Sequence, residues 1–327
     1  MSPGTDHGAG PLAGIKVVDL SVMISGPLAA MMLADQGADV IKVESPGIGD
    51  MMRFLGSQKN GMTGIFALNN RGKRSIGINL KSDGGRDVLR RLVSDADVVI
   101  QNYRPGALEK LGFGYDDVSA SNPGVVYVSI SGFGADGPRS GQRVYDNVIQ
   151  AASGLASVQA DRATGRPQIF RTLVCDKVTS YTVAQAVTAA LFARERGRGG
   201  QHVQVSMLDA AIAFMWPDSA MDAALLDDDV VRTPTIGENY AALELKDGFV
   251  TVSAVSQPEF EGYVRALNGA HLLEDPRFAD AASRMANVDA MRTEIKKLTD
   301  AITVEEFLRN AVIHDVPASG KIGRAHV

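Results

Sequence analysis

Short apolar runs rich in β-branched residues alternate with segments of helical periodicity over the first two-thirds of the chain. This alternation is typical of a parallel sheet whose two faces are covered by helices, so we predict an α/β fold. The predicted strands are residues 15–20, 38–44, 75–80, 97–101, 125–131 and 202–207, and the clearest helices are 26–37, 82–96 and 179–196.

The pattern changes after Trp216. Residues 216–240 contain an acidic run, two turn signals and no clear period, which indicates a linker. A hairpin around Asp247 and Gly248 is then followed by helical patterns, the last of which begins with a capping-box pair, Thr303 and Glu306. We therefore predict a large α/β domain over 1–215 and a smaller α/β domain over 241–319.

Composition narrows the class of protein. Of the 327 residues, 45% are hydrophobic and 22% are charged, which suits a globular protein with a full core. A net charge of −5, with both signs spread along the chain, argues against binding to nucleic acid. The single cysteine, Cys175, excludes an intrachain disulfide, and the five histidines lack ligand spacing, so no metal site is expected.

No part of the sequence reads as a targeting or membrane segment. The N-terminus lacks the pattern of a signal peptide, and the longest uncharged helical run, 178–193, is short and carries polar residues. We predict a cytoplasmic protein that does not bind membranes.

Residues 132–137 match the glycine pattern G-x-G-x-x-G after a predicted strand. In a dinucleotide site this loop opens directly into a helix, whose N-terminal amides meet the pyrophosphate. Here Gly137 is followed by Pro138 and more loop residues, so a flexible turn is favoured over an NAD site. The signatures of P-loop, α/β-hydrolase and zincin proteins are absent.

Asp176 lies between an extended apolar stretch and an apolar helix. We expect its carboxylate near a helix N-terminus, where it is either a cap and dipole partner or a nucleophile that forms covalent acyl intermediates. Its neighbour Cys175 is expected to be a packed core thiol.

Three basic or Asn-rich loops adjoin predicted strands: residues 69–74, 102–106 and 194–201. In parallel α/β sheets, ligands bind at the carboxyl ends of the strands, and we expect the three loops to lie at that edge. Together the loops predict a polyanionic small ligand, such as a nucleotide with several phosphates, although each one alone could be a solvated turn.

Several segments in order resemble the class III CoA-transferase family, which includes formyl-CoA:oxalate CoA-transferase, carnitine CoA-transferases and α-methylacyl-CoA racemase. The resemblance is strong over residues 12–215. It rests on GIKVVDLSVMISGPLAAMMLADQGADVIKVESPGIGD, NNRGKRSIGINLK, NYRPGALEKLGFGYDDV, SGFGADGP, YDNVIQAASGL and the block that begins at Asp176.

The resemblance implies a Rossmann-like large domain that binds CoA, a second smaller domain and an interlocked homodimer. It implies acyl-CoA and a small carboxylic acid as substrates, with no prosthetic group. Asp176 aligns with the nucleophile that forms an aspartyl anhydride and then an aspartyl-CoA thioester, and Tyr145 and Asp146 align with active-site residues. The implied CoA contacts are Ile78, Lys81, Asn102, Tyr103, Ala107, Lys110 and Arg143.

Two departures bear on the reaction. Racemases of the family carry a histidine where this chain has Tyr145, and a phenol is a poor base near pH 7, which favours a transferase. The loop over 22–25 is more apolar than in formyl-CoA transferase, so we do not expect an oxalate-specific site. A racemase, isomerase or lyase of the same family, and an inactive CoA-binding fragment, remain alternatives.

The C-terminus departs from the family, which would continue with a longer segment. Residues 321–327 can also be back-translated into the start of a common sequencing adapter. We predict a C-terminally truncated chain whose residues 320–327 are a non-native tail.

Overall fold

The computed structural model describes residues 10–231, 235, 237 and 240–320. The chain divides into two compact units, Met1–Met221 and Asp222–Val327. Part of the predicted linker (232–234, 236, 238 and 239) and most of the predicted tail (321–327) lie outside the described residues, so the tail and the truncation stay predictions.

The large unit is an α/β structure built on a six-stranded parallel sheet, as predicted. Five of the six strands match their predicted ranges within one residue at each end, because β-branched apolar residues favour a buried pleated sheet. In chain order the elements are β1 (Lys16–Asp19), α1 (Ser25–Asp35), β2 (Asp39–Glu44), β3 (Gln58–Lys59), β4 (Met62–Thr63), α2 (Gly64–Asn70), β5 (Lys73–Gly77), α3 (Asp83–Ser94), β6 (Val98–Gln101), α4 (Tyr115–Ser121), β7 (Val126–Ser131), α5 (Asp146–Ala152), α6 (Leu155–Val158), α7 (Val174–Ala193), β8 (Gln201–Ser206) and α8 (Met207–Ser219). The short helix α9 (Met221–Ala224) begins at the last residue of this unit.

The strand order is β5-β2-β1-β6-β7-β8, so the winding of the chain reverses between β1 and β6. These two strands pair in parallel register, with Val17 beside Val98 and Asp19 beside Ile100. At such a reversal the loops after the two strands diverge and leave a crevice at the carboxyl edge of the sheet. The topology therefore places a ligand site above β1 and β6.

Each face of the sheet is buried under helices because successive side chains of a strand point to opposite faces. Val17, Val98 and Val128 pack on one face against α1, α7 and α8. Val18 and Val99 pack on the other face against α3 and α4. This two-sided burial explains the nearly continuous apolar strands.

Helix α7 begins at Val174, five residues before the predicted start at residue 179. Asp176 is consequently inside the first turn of the helix rather than ahead of it. The residues before Thr179 have no local capping signal, and the cap comes from another part of the chain, as described below.

The expectation that three basic loops share the carboxyl edge is wrong for two of them. Residues 69–74 lead into β5, whose first residue is Lys73, and residues 194–201 lead into β8. Both loops therefore lie at the amino ends of their strands, and each contributes a cation to a structural ion pair. Lys73 Nζ lies 2.8 Å from Asp19 Oδ2, and Arg194 Nη1 lies 2.8 Å from Asp97 Oδ1.

The glycine pattern after β7 forms a turn, as predicted, and the next helix starts only at Asp146. Gly134 and Gly137 have φ angles of 90° and 89°, which favour glycine. A Cβ at Gly132 would lie 2.3 Å from Val144 Cγ2. These glycines serve turn geometry and close packing rather than a helix that opens onto a pyrophosphate.

The smaller unit contains an antiparallel sheet with the order β11-β10-β9 and its own core around Phe307. The predicted hairpin turns at Lys246 and Asp247. The helical pattern over residues 283–298 is divided between two helices. The elements are β9 (Leu243–Leu245), β10 (Gly248–Val252), α10 (Gln257–Ala266), α11 (Ala281–Ala286), α12 (Val288–Ala301), α13 (Val304–Ile313) and β11 (Ala318–Gly320).

The structure differs from two local predictions, one on the capping box at Thr303 and one on the start of the linker at residue 216. Thr303 accepts the backbone N–H of Glu306, but the Glu306 carboxylate binds Asn268 Nδ2 at 2.9 Å, so only half of the predicted capping box forms. Helix α8 continues to Ser219, so residues 216–219 are helical where we expected no regular structure. No helix among the described residues is long and apolar enough to span a membrane.

Candidate active site

An open cavity of about 1820 Å³ lies in the large unit. Its walls come from the loops after β1, β6 and β7, from α1 and α2, and from the first turns of α5 and α7. The volume exceeds the roughly 300–1,000 Å³ of drug-sized ligand pockets, so a larger ligand fits. Six of the ten predicted site residues line it: Asn102, Tyr103, Arg143, Tyr145, Asp146 and Asp176.

The other four predicted site residues do not line this cavity. Ile78 is buried in the core, and Lys81 is exposed just before α3. Ala107 and Lys110 follow β6, with Lys110 exposed in a short 3₁₀ turn. All four follow the carboxyl ends of β5 and β6. None of them lines the cavity that contains Asp176.

Asp176 is a partly buried carboxylic acid in the first turn of α7. Burial raises its pKa to about 7, the nearby charge of Asp146 adds to the rise, and a backbone hydrogen bond from Ser25 opposes it. Ser25 is the first residue of α1. The Asp176 carboxyl group thus faces the N-terminus of a second helix, where positive partial charges favour an anion.

Ser180 joins the two helices at this point. Its Oγ lies 2.7 Å from the carbonyl oxygen of Ser25 and 2.8 Å from that of Asp176, so the single hydroxyl hydrogen is shared between the two acceptors, and Ser180 is fully buried. The hydrogen bonds fix the start of α1 against the first turn of α7.

Asp146 is the external cap of α7. Its side chain is buried at 3% exposure, and its Oδ2 accepts the backbone N–H of Asp176 at 2.9 Å. Its Oδ1 accepts Gln150 Nε2 at 2.5 Å. Asp146 therefore positions Asp176 through the backbone and raises the pKa of Asp176 through its charge.

Gln150 holds the segment that precedes α7, residues 169–173, which we name the strap. Its Oε1 accepts the N–H of Phe170 at 2.8 Å, and its Nε2 lies 3.3 Å from the carbonyl oxygen of Phe170 and 3.2 Å from that of Thr172. Gln150 is not among the site residues predicted from the sequence. The available signal is its position four residues after Asp146, which places both side chains on one face of α5.

Asn102 spans the crevice between β1 and β6. Its Oδ1 accepts the N–H of Val22 at 2.9 Å, and its Nδ2 donates to the carbonyl oxygen of Val22 at 2.7 Å. Both polar atoms of this predicted CoA contact are therefore engaged with the loop after β1, residues 20–24, which we name the first loop.

A buried ion pair holds the same loop from below. Lys42 Nζ lies 3.0 Å from Asp50 Oδ2 and donates to the carbonyl oxygen of Ser21 at 2.8 Å. Asp50 accepts the N–H of Met23, a non-glycine residue with a φ of 68°. The sequence did not predict this ion pair, because neither Lys42 nor Asp50 belongs to a recognisable motif.

Tyr145 and Cys175 have contrasting environments. Tyr145 is 66% exposed and lines the cavity. It occupies the N-cap position of α5, but its side chain makes no capping hydrogen bond. Cys175 is buried in the core, and this burial, followed by the charges of Asp146 and Asp176, raises its pKa to about 12. The prediction of a packed core thiol is confirmed.

Basic side chains line the cavity beside these acids. Arg71 pairs with Asp35, and Lys177 Nζ donates to Thr172 Oγ1 at 2.8 Å. Within the described part of the chain, the guanidinium groups of Arg104, Arg143 and Arg171 make no hydrogen bond or ion pair. The cavity thus presents unpaired positive charge that can hold an anionic ligand.

Comparison with known proteins bears on this arrangement. The family described as CoA-transferase family III matches residues 12–322. An acetyl-CoA:oxalate CoA-transferase of Acetobacter aceti is 33% identical over 299 residues, 88% of this chain and 75% of that protein. A succinate–glutarate CoA-transferase of Agrobacterium fabrum is 33% identical over 318 residues, 94% of this chain and 79% of that protein.

A solved structure has the same fold. The crystal structure of Rv3272 from Mycobacterium tuberculosis superposes with a TM-score of 0.84 at 31% identity, covering 97% of this chain and 85% of that one. The resemblance seen in the sequence is confirmed by these matches, and the chain belongs to CoA-transferase family III.

Proposed function

We propose that this protein moves CoA from an acyl-CoA thioester to a carboxylic acid, with Asp176 as the nucleophile. The observation that carries the proposal is the raised pKa of Asp176, about 7, in a cavity with unpaired arginines. A carboxylate that is desolvated and more basic is a better nucleophile than one in water. The membership in a CoA-transferase family supports the substrate class.

The reaction proceeds through two covalent intermediates. An oxygen of the Asp176 carboxylate attacks the thioester carbonyl carbon, and CoA leaves as a thiolate, which gives a mixed anhydride. The thiolate then attacks the aspartyl carbonyl carbon and releases the donor acid as a carboxylate. Asp176 is left as an aspartyl-CoA thioester.

The second half reverses these steps with another acid. The acceptor carboxylate attacks the aspartyl carbonyl carbon and displaces the thiolate, which forms a new anhydride. The thiolate attacks the acyl carbon of the acceptor, releases the Asp176 carboxylate and completes the new acyl-CoA. No proton is gained or lost over the cycle.

The neighbouring residues support these steps. Asp146 positions Asp176 and keeps its pKa high. The exposed phenol of Tyr145 can donate a hydrogen bond to a carbonyl oxygen of a reacting group, but it is a poor base for α-proton removal, which favours transfer over racemisation. We assign CoA binding to Tyr103 and Arg143 in the cavity and to Ile78, Lys81, Ala107 and Lys110 along the same edge, and we assign Asn102 a part in CoA binding through the first loop that it holds.

We also propose an interlocked homodimer. Large apolar side chains are exposed on α7 and α8, and a second copy of the chain would bury them. They are Tyr181, Phe192, Phe214 and Trp216.

The test is a panel of acyl-CoA donors (acetyl-CoA, succinyl-CoA and palmitoyl-CoA) against acetate, oxalate, succinate and glutarate. Asp176→Ala should lower transfer by more than about 10³-fold and leave CoA binding within a few-fold. Asp87→Ala, an exposed helix position outside the cavity, is the control. Hydroxylamine should convert the aspartyl-CoA adduct of the native protein to a hydroxamate at Asp176.

Two results would contradict the proposal. One is turnover that survives in Asp176→Ala. The other is exchange of the α-hydrogen of an acyl-CoA for deuterium with no CoA transfer to any added acid, which would indicate a racemase or isomerase.

A further inference from the structure

The strap places Arg171 in the cavity wall that Asp176 also lines. Gln150, which is 1% exposed, holds the backbone on both sides of Arg171 through Phe170 and Thr172. The same Gln150 amide donates to Asp146, whose carboxylate accepts the N–H of Asp176. One buried side chain therefore ties the base of Arg171 to the two acids of the site.

The charge of Arg171 has no partner among the residues that the structure describes. Its neighbour in the cavity, Lys177, is already hydrogen-bonded to the hydroxyl of Thr172. Guanidinium groups bind carboxylates in a planar, two-bond geometry that a lysine does not offer. Arg171 is thus an unpaired guanidinium, able to receive a carboxylate, on a segment whose backbone is held on both sides.

The proposed transfer needs such a receptor. The acceptor is an anion, and it must approach a site that already holds the carboxylate of Asp146 beside the acylated Asp176. Like charges at this range repel, and the repulsion is stronger in a partly desolvated site than in water. A positive group on the approach path offsets it.

We propose that Arg171 binds a carboxylate of the acceptor acid, and that Gln150 positions Arg171 by holding the strap. The inference rests on the proposed function and extends it to the residue that selects the second substrate. Arg104 and Arg143, on the loop after β6 and the loop before α5, are left for the phosphates of CoA.

Arg171→Gln tests the role of the guanidinium, and Arg166→Gln is the matched control, since Arg166 is exposed in the preceding segment and does not line the cavity. With a donor that carries no free carboxylate, acetyl-CoA or palmitoyl-CoA, Arg171→Gln should lower kcat/KM for the acid at least tenfold. The KM for the acyl-CoA should stay within twofold. Arg171→Lys should recover part of the loss, because the charge is kept without the planar geometry.

Hydroxylamine separates the two halves of the reaction. It is a neutral nucleophile that cleaves the aspartyl-CoA thioester without needing a cation, so the rate of hydroxamate formation should be unchanged in Arg171→Gln. A comparison of acetate with succinate as acceptors then shows which carboxylate of the acid Arg171 binds, because acetate has only the reacting carboxylate and succinate also has a distal one. An equal loss for both places the reacting carboxylate at Arg171, and a loss for succinate alone places the distal carboxylate there.

The positioning role of Gln150 is tested by Gln150→Met, which keeps the shape of the side chain and removes its hydrogen bonds. It should raise the KM for the acid, and it should add little to that KM in the double variant with Arg171→Gln, because both changes act through one group. A role in folding alone would give additive losses and would affect acyl-CoA equally.

The proposal is overturned by unchanged acid kinetics in Arg171→Gln, or by a rise in the KM for acyl-CoA that matches the rise for the acid. Such a matched rise would assign Arg171 to CoA. Failure of the proposed function itself is distinct, since the native protein would then form no aspartyl-CoA adduct at all.

Discussion

The carboxylate of Asp146 accepts the backbone N–H of Asp176 at 2.9 Å, so one acid begins the helix that carries the other. The bond keeps two carboxyl groups in one cavity, and the negative charge of Asp146 helps to raise the pKa of Asp176 to about 7. A cap that a neutral serine could supply is made here by a charged group. Because the capping residue is charged, Asp146 affects both the position and the pKa of Asp176.

The rate of transfer should follow the ionisation of Asp176. Because the carboxylate is the proposed nucleophile and its pKa is about 7, kcat/KM should fall as the pH drops below 7 and level off above it. Asp146→Asn removes the neighbouring charge and should move the midpoint to lower pH, while the contribution of burial remains. Asp87→Asn, on an exposed helix face outside the cavity, should leave the midpoint in place. A midpoint that Asp146→Asn does not move would contradict the coupling.

The same ionisation should limit stability. Between about pH 4 and pH 7 the native protein keeps a proton on Asp176 that the unfolded chain has lost, so the free energy of unfolding should fall as the pH rises through this range. Asp176→Asn has no such proton to lose. It should be more stable than the native protein at pH 8, by up to about 4 kcal/mol, and nearly equal to it at pH 4. Urea unfolding at the two pH values measures the difference, and an equal difference at both would show that ionisation is not its cause.

Asn102 should act on CoA binding through the first loop. Asn102→Ala removes both hydrogen bonds to Val22 and should cost about 1–3 kcal/mol of unfolding free energy, together with a higher KM for acyl-CoA. Thermal unfolding and steady-state kinetics on one preparation give both numbers. A higher KM at unchanged stability would instead indicate that Asn102 contacts CoA directly.

Lys42 should be essential to the support of the first loop. Lys42→Met leaves the buried carboxylate of Asp50 without its partner, which should cost about 3–5 kcal/mol of unfolding free energy. Adding Asp50→Asn removes the unpaired charge and should recover part of this loss. Denaturant unfolding of the single and double variants measures these free energies. If the double variant is no more stable than Lys42→Met, the unpaired charge of Asp50 is not the cause of the loss.

The parallel sheet was predictable because a strand that is buried on both faces needs a continuous run of apolar residues, many of them β-branched, and this run is visible in the sequence between turns. The edge on which a loop lies was predicted less well. Residues 69–74 and 194–201 were placed with 102–106 by composition, although the first two lead into strands and the third leaves one. Their cations, Lys73 and Arg194, are held by acids far away in sequence, and no local pattern shows such pairs.

The sequence by itself determined the α/β class, the family and the candidate nucleophile, because each depends on residue order along the chain. Only the tertiary structure decided the environment of Asp176. Its cap is 30 residues away, the strap is tied 20 residues back to Gln150, and Asn102 binds a loop 80 residues away. A pKa depends on burial and on charges within a few ångströms in space, and the chain brings these together only when it folds.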